Sequence, residues 1–118
     1  MANNSAEVLL PSLNQTAQIG EAGDVAVRVK AIGKTPAANV KVVAFVGTTA
    51  PNNFEDLLPG PNDNEFEGNP VVSGIPGDAT SPISFRIKAV AEFAAADPQG
   101  DPIIVERIFG PFQGQLPE

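Results

Sequence analysis

The sequence predicts an all-β fold, an antiparallel β-sandwich of about seven short strands. Val-rich segments alternate between apolar and polar positions, which is typical of strands with one buried face. The 118 residues also include 12 Pro and 11 Gly, which interrupt the chain too often for long helices. The length fits one domain over residues 1–118 and is sufficient to bury a hydrophobic core.

The first strand is predicted at Ala6, Val8 and Leu10, which occupy alternate positions before Pro11. Residues 16–19 are expected to continue this strand after a kink. A first strand broken in this way is common in sandwiches, where it is shared between the two sheets.

Two Val-rich strands follow, at residues 24–32 and 40–46. In the first, the residues on the inward face are Val25, Val27, Val29 and Ala31. In the second, the inward residues are Val40, Val42, Ala44 and Val46. Val43 and Phe45 make the opposite face of this strand apolar too, so we expect it to be central in its sheet or to meet a partner.

Residues 47–64 lack a strand pattern. Their apolar cluster of Phe54, Leu57 and Leu58 has the i, i+3, i+4 spacing of one helical turn. A connection of this length predicts either a crossover between sheets or a functional loop.

The remaining strands are predicted at 65–67 and 71–75, both at sheet edges, and at 83–90 and 103–109. The regular strand at 83–90 turns Ile83, Phe85, Ile87 and Ala89 inward, and the alanine-rich residues 89–96 also fit a turn or two of helix. Residues 1–15 and 110–118 are candidate extended arms. The second carries apolar anchors at Phe112 and Leu116 and is expected to be a mobile end or a strap on a neighbouring subunit.

Short strands joined by Gly, Pro, Asn and Asp turns are typical of an immunoglobulin-like sandwich, with a barrel of similar size as the alternative. Two runs, VAVRVKAIGKTPAANVKVVAFV and SGIPGDATSPISFRI, resemble the immunoglobulin-like modules of bacteria and phages of the CARDB (cell-adhesion-related domain) type. The matching features are Gly33, Ala37-Ala38, Asn39-Val40, Pro76-Gly77 and Ile83-Phe85-Ile87. The resemblance implies a spacer, an adhesion unit or a virion surface attachment, without catalytic residues.

The composition argues against catalysis and against nucleic acid as a partner. The chain has no His, Cys or Tyr, which removes the usual general bases, thiol nucleophiles and imidazole ligands, so we expect neither an enzyme nor a cofactor. The net charge of −7 disfavours phosphate binding. Weak calcium candidates, none with EF-hand spacing, are Asp63, Glu65, Glu67, Asp97 and Asp101; solubilising turn residues are the alternative interpretation.

The leading hypothesis is a non-enzymatic structural module on a larger protein assembly, a phage virion (capsid) decoration or accessory protein. The alternatives are an extracellular adhesion or spacer module of a longer bacterial surface protein, and a calcium- or carbohydrate-binding module. The partners expected are other protein subunits, including copies of the chain itself. No membrane partner is expected, since the N-terminal segment resembles neither a signal peptide nor a membrane span. The predicted partner contacts are Val43, Phe45, Phe54, Leu57, Leu58, Phe112 and Leu116.

Overall fold

The structure, a computed structural model, describes residues 4–95 and 99–117 and is all-β with two sheets packed on each other. The strands in chain order are β1 (Ser5–Leu10), β2 (Ala17–Gln18), β3 (Val27–Ile32), β4 (Ala37–Phe45), β5 (Glu55–Asp56), β6 (Leu58–Pro59), β7 (Glu65–Gly68), β8 (Val72–Ser73), β9 (Ile83–Phe93) and β10 (Ile103–Gln115). The all-β prediction is confirmed.

The smaller sheet has the order β1-β3-β7-β6, and the larger sheet has the order β2-β10-β9-β4-β5 with β8 paired to β4. The molecule is elongated, with extents of 51 × 26 × 22 Å. No helix in the described part of the chain is long and apolar enough to cross a membrane.

One hydrophobic cluster joins the two sheets. It forms because alternate residues of each long strand point to the same side of the sheet. The inward residues predicted for the strands at 24–32 and 83–90 are all buried, and Phe85, Ile87 and Ala89 are 0% exposed. Every buried side chain in residues 4–95 and 99–117 is non-polar, so hydrophobic burial is the main stabilising term of the core.

The first strand is broken between the sheets, as predicted. β1 pairs antiparallel with β3 in the smaller sheet, whereas β2 pairs parallel with β10 in the larger one. The chain therefore changes sheets between Leu10 and Ala17.

The prediction that the strand at 40–46 is central is confirmed. β4 pairs with β9 on one side and with β5 and β8 on the other. Val43 and Phe45 are each 1% exposed but lie outside the main core cluster, on the opposite face of β4. The chain itself contributes to this second face, because Thr49 and Pro51 line a cavity together with Phe45.

The prediction of a helical turn at Phe54, Leu57 and Leu58 is wrong. Residues 55–56 pair with β4 of the larger sheet, and residues 58–59 pair with β7 of the smaller sheet. Leu57, between them, is 6% exposed and donates its backbone N–H to the carbonyl of Val40 at 2.9 Å. The crossover prediction is confirmed. Two free sheet edges offer this backbone more hydrogen bonds than an isolated helical turn, which is costly to nucleate.

Three further expectations need correction. The strand at 65–67 is not an edge, because β7 lies between β3 and β6. The alanine-rich segment is extended as far as Phe93, where β9 ends, since each of its inward residues adds to the core. Most of the candidate arm at 110–118 continues β10, and residues 5–10 of the other candidate arm form β1.

A register shift between Phe109 and Phe112 allows β10 to continue. Gly110 lies at this shift with φ of 119°, a conformation that glycine adopts without a Cβ penalty. Beyond the shift, Phe112 is 3% exposed, and its ring centroid lies 5.7 Å from that of Phe85. The C-terminal segment therefore completes the core.

Candidate interaction surface

Exposed apolar side chains are concentrated on the first and last long strands. Six of the nine large hydrophobic side chains exposed in the described residues belong to β1, to the segment just after it, or to β10. We call these six the terminal flank: Leu9, Leu10, Leu13, Ile103, Ile104 and Ile108. The two strands are neighbours, with Cα atoms within 8 Å of each other.

The β1 side of the terminal flank lies at the edge of the smaller sheet. A register shift between Val8 and Leu10 leaves Leu9 without a partner residue on β3. Leu9 and Leu10 are 37% and 41% exposed, and Leu13 is 68% exposed. Leu10 also lines a cavity of about 220 Å³ beside Pro11, at the junction between β1 and β2.

The β10 side of the terminal flank is a strand edge. Among the described residues, positions 103–109 pair with β9 alone, because β2 reaches β10 only at Gly114 and Gln115. Within residues 4–95 and 99–117, the N–H and C=O groups on the outer side of this segment have no neighbouring strand. An edge of this length with apolar side chains is a template for pairing with another chain.

Both faces of this edge are partly apolar. The register places Ile104 and Ile108 opposite Glu92 and Lys88, on the face away from the core, where they are 58% and 52% exposed. Between them, Glu106 lies 3.9 Å from the Lys88 ammonium, measured from Oε1 to Nζ. On the other face, Ile103 is 46% exposed, and the Arg107 guanidinium lies 5.6 Å from the centroid of the Phe109 ring.

The seven predicted partner contacts do not form one surface. Four of them are buried by the chain itself and are not available to a partner in this structure: Val43, Phe45, Leu57 and Phe112. That part of the prediction needs correction, because strand pairing and the crossover fill the space where a partner was expected.

The other three predicted contacts are separated. Leu58 is 70% exposed at the β6 edge, on the side of the smaller sheet far from β1. Phe54 is half-buried, with the Lys41 and Lys88 ammonium groups 5.3 and 5.9 Å from its ring centroid. Leu116 follows β10 and donates its backbone N–H to the Ser81 hydroxyl at 2.7 Å. Their contact with a partner stays a prediction.

The acidic candidates are engaged in pairing or exposed. Arg28 donates at 3.1 Å to Glu67, which faces it from β7, and lies 3.9 Å from Glu65. Asp63 and Asp101 are exposed, and Asp97 lies outside the described residues. In the described ranges, no group of three or more Asp, Glu, His or Cys side chains could hold a metal ion.

Sequence reasoning missed the β10 side of the terminal flank. The available signal was the run of Ile103, Ile104 and Val105, which puts apolar residues on both faces of a strand. The same signal in β4 marks a central strand, whereas in β10 it marks an exposed edge.

Comparison with protein-family models gives no match, and neither a curated protein nor a solved structure matches the chain.

Proposed function

We propose that this protein is a non-enzymatic structural module with an immunoglobulin-like fold that attaches to a larger protein assembly. Within that class, we propose a decoration or accessory protein on the surface of a phage virion.

The strand order supports the immunoglobulin-like part of the proposal. One sheet contains the first, third and seventh strands, and the other contains β4, β9 and β10 side by side. A first strand divided between an antiparallel pair with β3 and a parallel pair with β10 fits such a sandwich. The CARDB-like turn features agree with this arrangement, since Gly33 lies in the connection between β3 and β4.

The terminal flank is the observation that carries the attachment function. Large apolar side chains exposed on two neighbouring strands cost free energy in water, and contact with another protein would remove this cost. Leu13 is 68% exposed in the segment between β1 and β2, where it can be covered by another protein without any change in the sandwich.

A spacer in a bacterial surface protein is the second candidate, favoured by the positions of the two ends of the described chain. Asn4 and Phe93 both approach Gly33 at one end of β9, whereas Gly114 pairs with Ile83 at the other end. The eleven residues of β9 span about 35 Å in an extended strand. The two ends of the described chain are thus at opposite ends of the sandwich, as linear arrays of modules require.

The attachment hypothesis is tested by quantitative mass spectrometry of gradient-purified particles produced by the genome that encodes the chain. We expect the chain at a fixed copy number per particle. Absence from the particles, together with a gene that encodes further sandwich modules and a surface anchor, would refute the virion hypothesis and support the spacer.

The surface is tested by comparing Leu13→Lys with Leu58→Lys. The two leucines are similarly exposed, at 68% and 70%, but only Leu13 belongs to the terminal flank. We expect Leu13→Lys to lower occupancy on particles at least about tenfold, because a lysine is expensive to desolvate at an apolar contact. Loss of occupancy with Leu58→Lys alone would instead assign attachment to the β6 edge.

A further inference from the structure

We infer that the free edge of β10 binds the same edge of a second copy of this chain. The two copies pair antiparallel about a two-fold axis through Ile104, which joins the larger sheets of both copies into one continuous sheet. This inference goes beyond the proposed attachment function and does not depend on it.

The edge has the features that strand pairing requires. Residues 103–109 have one strand neighbour, β9, in the described chain, and Ile103, Ile104 and Ile108 are each about half exposed. Pro111 and the register shift lie beyond this segment, so its backbone is regular. The segment offers two charged side chains, Glu106 and Arg107, as protection against edge pairing, which is little for an edge of seven residues.

A two-fold axis limits the registers available. In an antiparallel pair the residues opposite each other lie on the same face. The two-fold axis must therefore pass midway between one residue and the same residue of the second copy. An axis at Glu106 opposes two carboxylates, and an axis at Arg107 opposes two guanidinium groups; both arrangements are destabilising. An axis at Val105 places each charged side chain opposite an isoleucine. An axis at Ile108 brings the break at Gly110 and Pro111 into the ladder.

The axis at Ile104 pairs apolar side chains with each other and brings together opposite charges, while Glu106 faces Pro102, which lies just before β10. Ile104 then faces Ile104 of the second copy, and Ile103 faces Val105. Asp101 faces Arg107 of the second copy, and the symmetry repeats this pair. Asp101 and Arg107 are both exposed, and in the isolated chain Arg107 has the Phe109 ring beside it. Opposite charges across paired strands stabilise the pairing and fix its register.

In this register the paired segment lies away from β2. The register pairs residues 101–107 of the two chains, of which Asp101 and Pro102 lie just before the start of β10. The position of β2, next to Gly114 and Gln115, lies at the other end of β10. The self-complementary charges favour a second copy over an unrelated strand, because each edge supplies both members of the pair.

The experiment measures self-association of the full chain by sedimentation equilibrium. We expect a concentration-dependent dimer. Ile104→Lys places two ammonium groups on the axis and is expected to raise the dimer Kd at least tenfold. Ile108→Lys is the matched control, because Ile108 is similarly exposed on the same face but lies outside the paired segment; its Kd is expected to match that of the wild type.

A charge exchange tests the register. Asp101→Arg and Arg107→Asp should each weaken the dimer, whereas the double variant should recover a Kd within about threefold of the wild type, because the pair is restored with reversed polarity. Circular dichroism confirms that each variant folds. A wild type that stays monomeric up to about 1 mM, equivalent to a binding free energy weaker than about −4 kcal/mol, would overturn the inference. A double variant no better than the singles, or an equal loss with Ile108→Lys, would also overturn it.

The test separates this inference from the attachment function. Leu13→Lys lies outside the paired segment and should leave the dimer Kd unchanged while lowering occupancy on particles. Ile104→Lys is measured on the purified chain alone, so failure to dimerise and failure to attach are read independently.

Discussion

Replacement of Val27 by aspartate should severely destabilise the fold. Val27 is 1% exposed on β3 and belongs to the cluster that joins the two sheets. Loss of a fully buried valine costs about 1.5–3 kcal/mol. A carboxyl group without a hydrogen-bond partner in the same place costs about 1–3 kcal/mol more. The expected loss of about 2.5–6 kcal/mol compares with a total stability of about 5–15 kcal/mol for a typical domain.

The matched control is Ile32→Asp, which makes a similar change on the opposite face of the same strand. Ile32 is 37% exposed and pairs with Ser5, so its carboxylate can remain in water. We expect a loss of about 1 kcal/mol or less, as for ordinary surface substitutions. The free energy of unfolding is measured by urea titration followed by far-UV circular dichroism, because the chain has no Trp or Tyr to report by fluorescence.

The pH dependence identifies the mechanism. The apolar core raises the pKa of the introduced carboxyl in the folded state above its value in the unfolded chain. The folded state then retains the proton more strongly, so stability falls as pH rises above the unfolded pKa. The loss caused by Val27→Asp should be smaller at pH 4 than at pH 8, relative to wild type at each pH. Wild-type stability of this variant, or a loss that does not change with pH, would refute the inward assignment of Val27.

Two further predictions concern close packing and surface charge. Gly114→Ala should lower stability by about 1–3 kcal/mol, because a Cβ there would lie 2.6 Å from Ile19 Cδ1 and 3.1 Å from Phe85 Cε1. Gly77→Ala, with open space around the added carbon, is the control in thermal melts, and an equal change in the two variants would contradict the packing argument. A double-mutant cycle with Arg28→Ala and Glu67→Ala should give a coupling below about 1 kcal/mol that declines with added salt, since both side chains are about 40% exposed. A larger coupling energy that persists at 1 M NaCl, measured by urea titration, would show that the ion pair between Arg28 and Glu67 is shielded from water.

The strand faces could be predicted from local patterns. Val25, Val27 and Val29 alternate with polar or small residues, and a period of two has one structural meaning when one face is buried. Phe85 and Ile87 gave the same information for β9. The pattern of residues 40–46 also predicted the position of the strand in its sheet, because apolar residues on both faces indicated neighbours on both sides.

The interaction surface could not be predicted in the same way. Val43 and Phe45 were expected at a partner contact, but the chain covers them itself. Ile104 and Ile108 drew no such expectation, yet they are the side chains left in water. An apolar residue on a strand has the same local pattern in both situations, since the pattern does not encode which strand lies next to it.

By itself, the sequence determined the all-β class, the inward faces of the long strands and the crossover between sheets, because these depend on alternation and on Gly and Pro positions within short segments. The tertiary structure decided that Gly110 allows the C-terminal segment to continue as β10 and complete the core, and that residues 103–109 form a free edge. Those outcomes depend on pairings between residues far apart in the chain. Whether an apolar strand becomes the interior of a sheet or its exposed edge is decided by its neighbours in space.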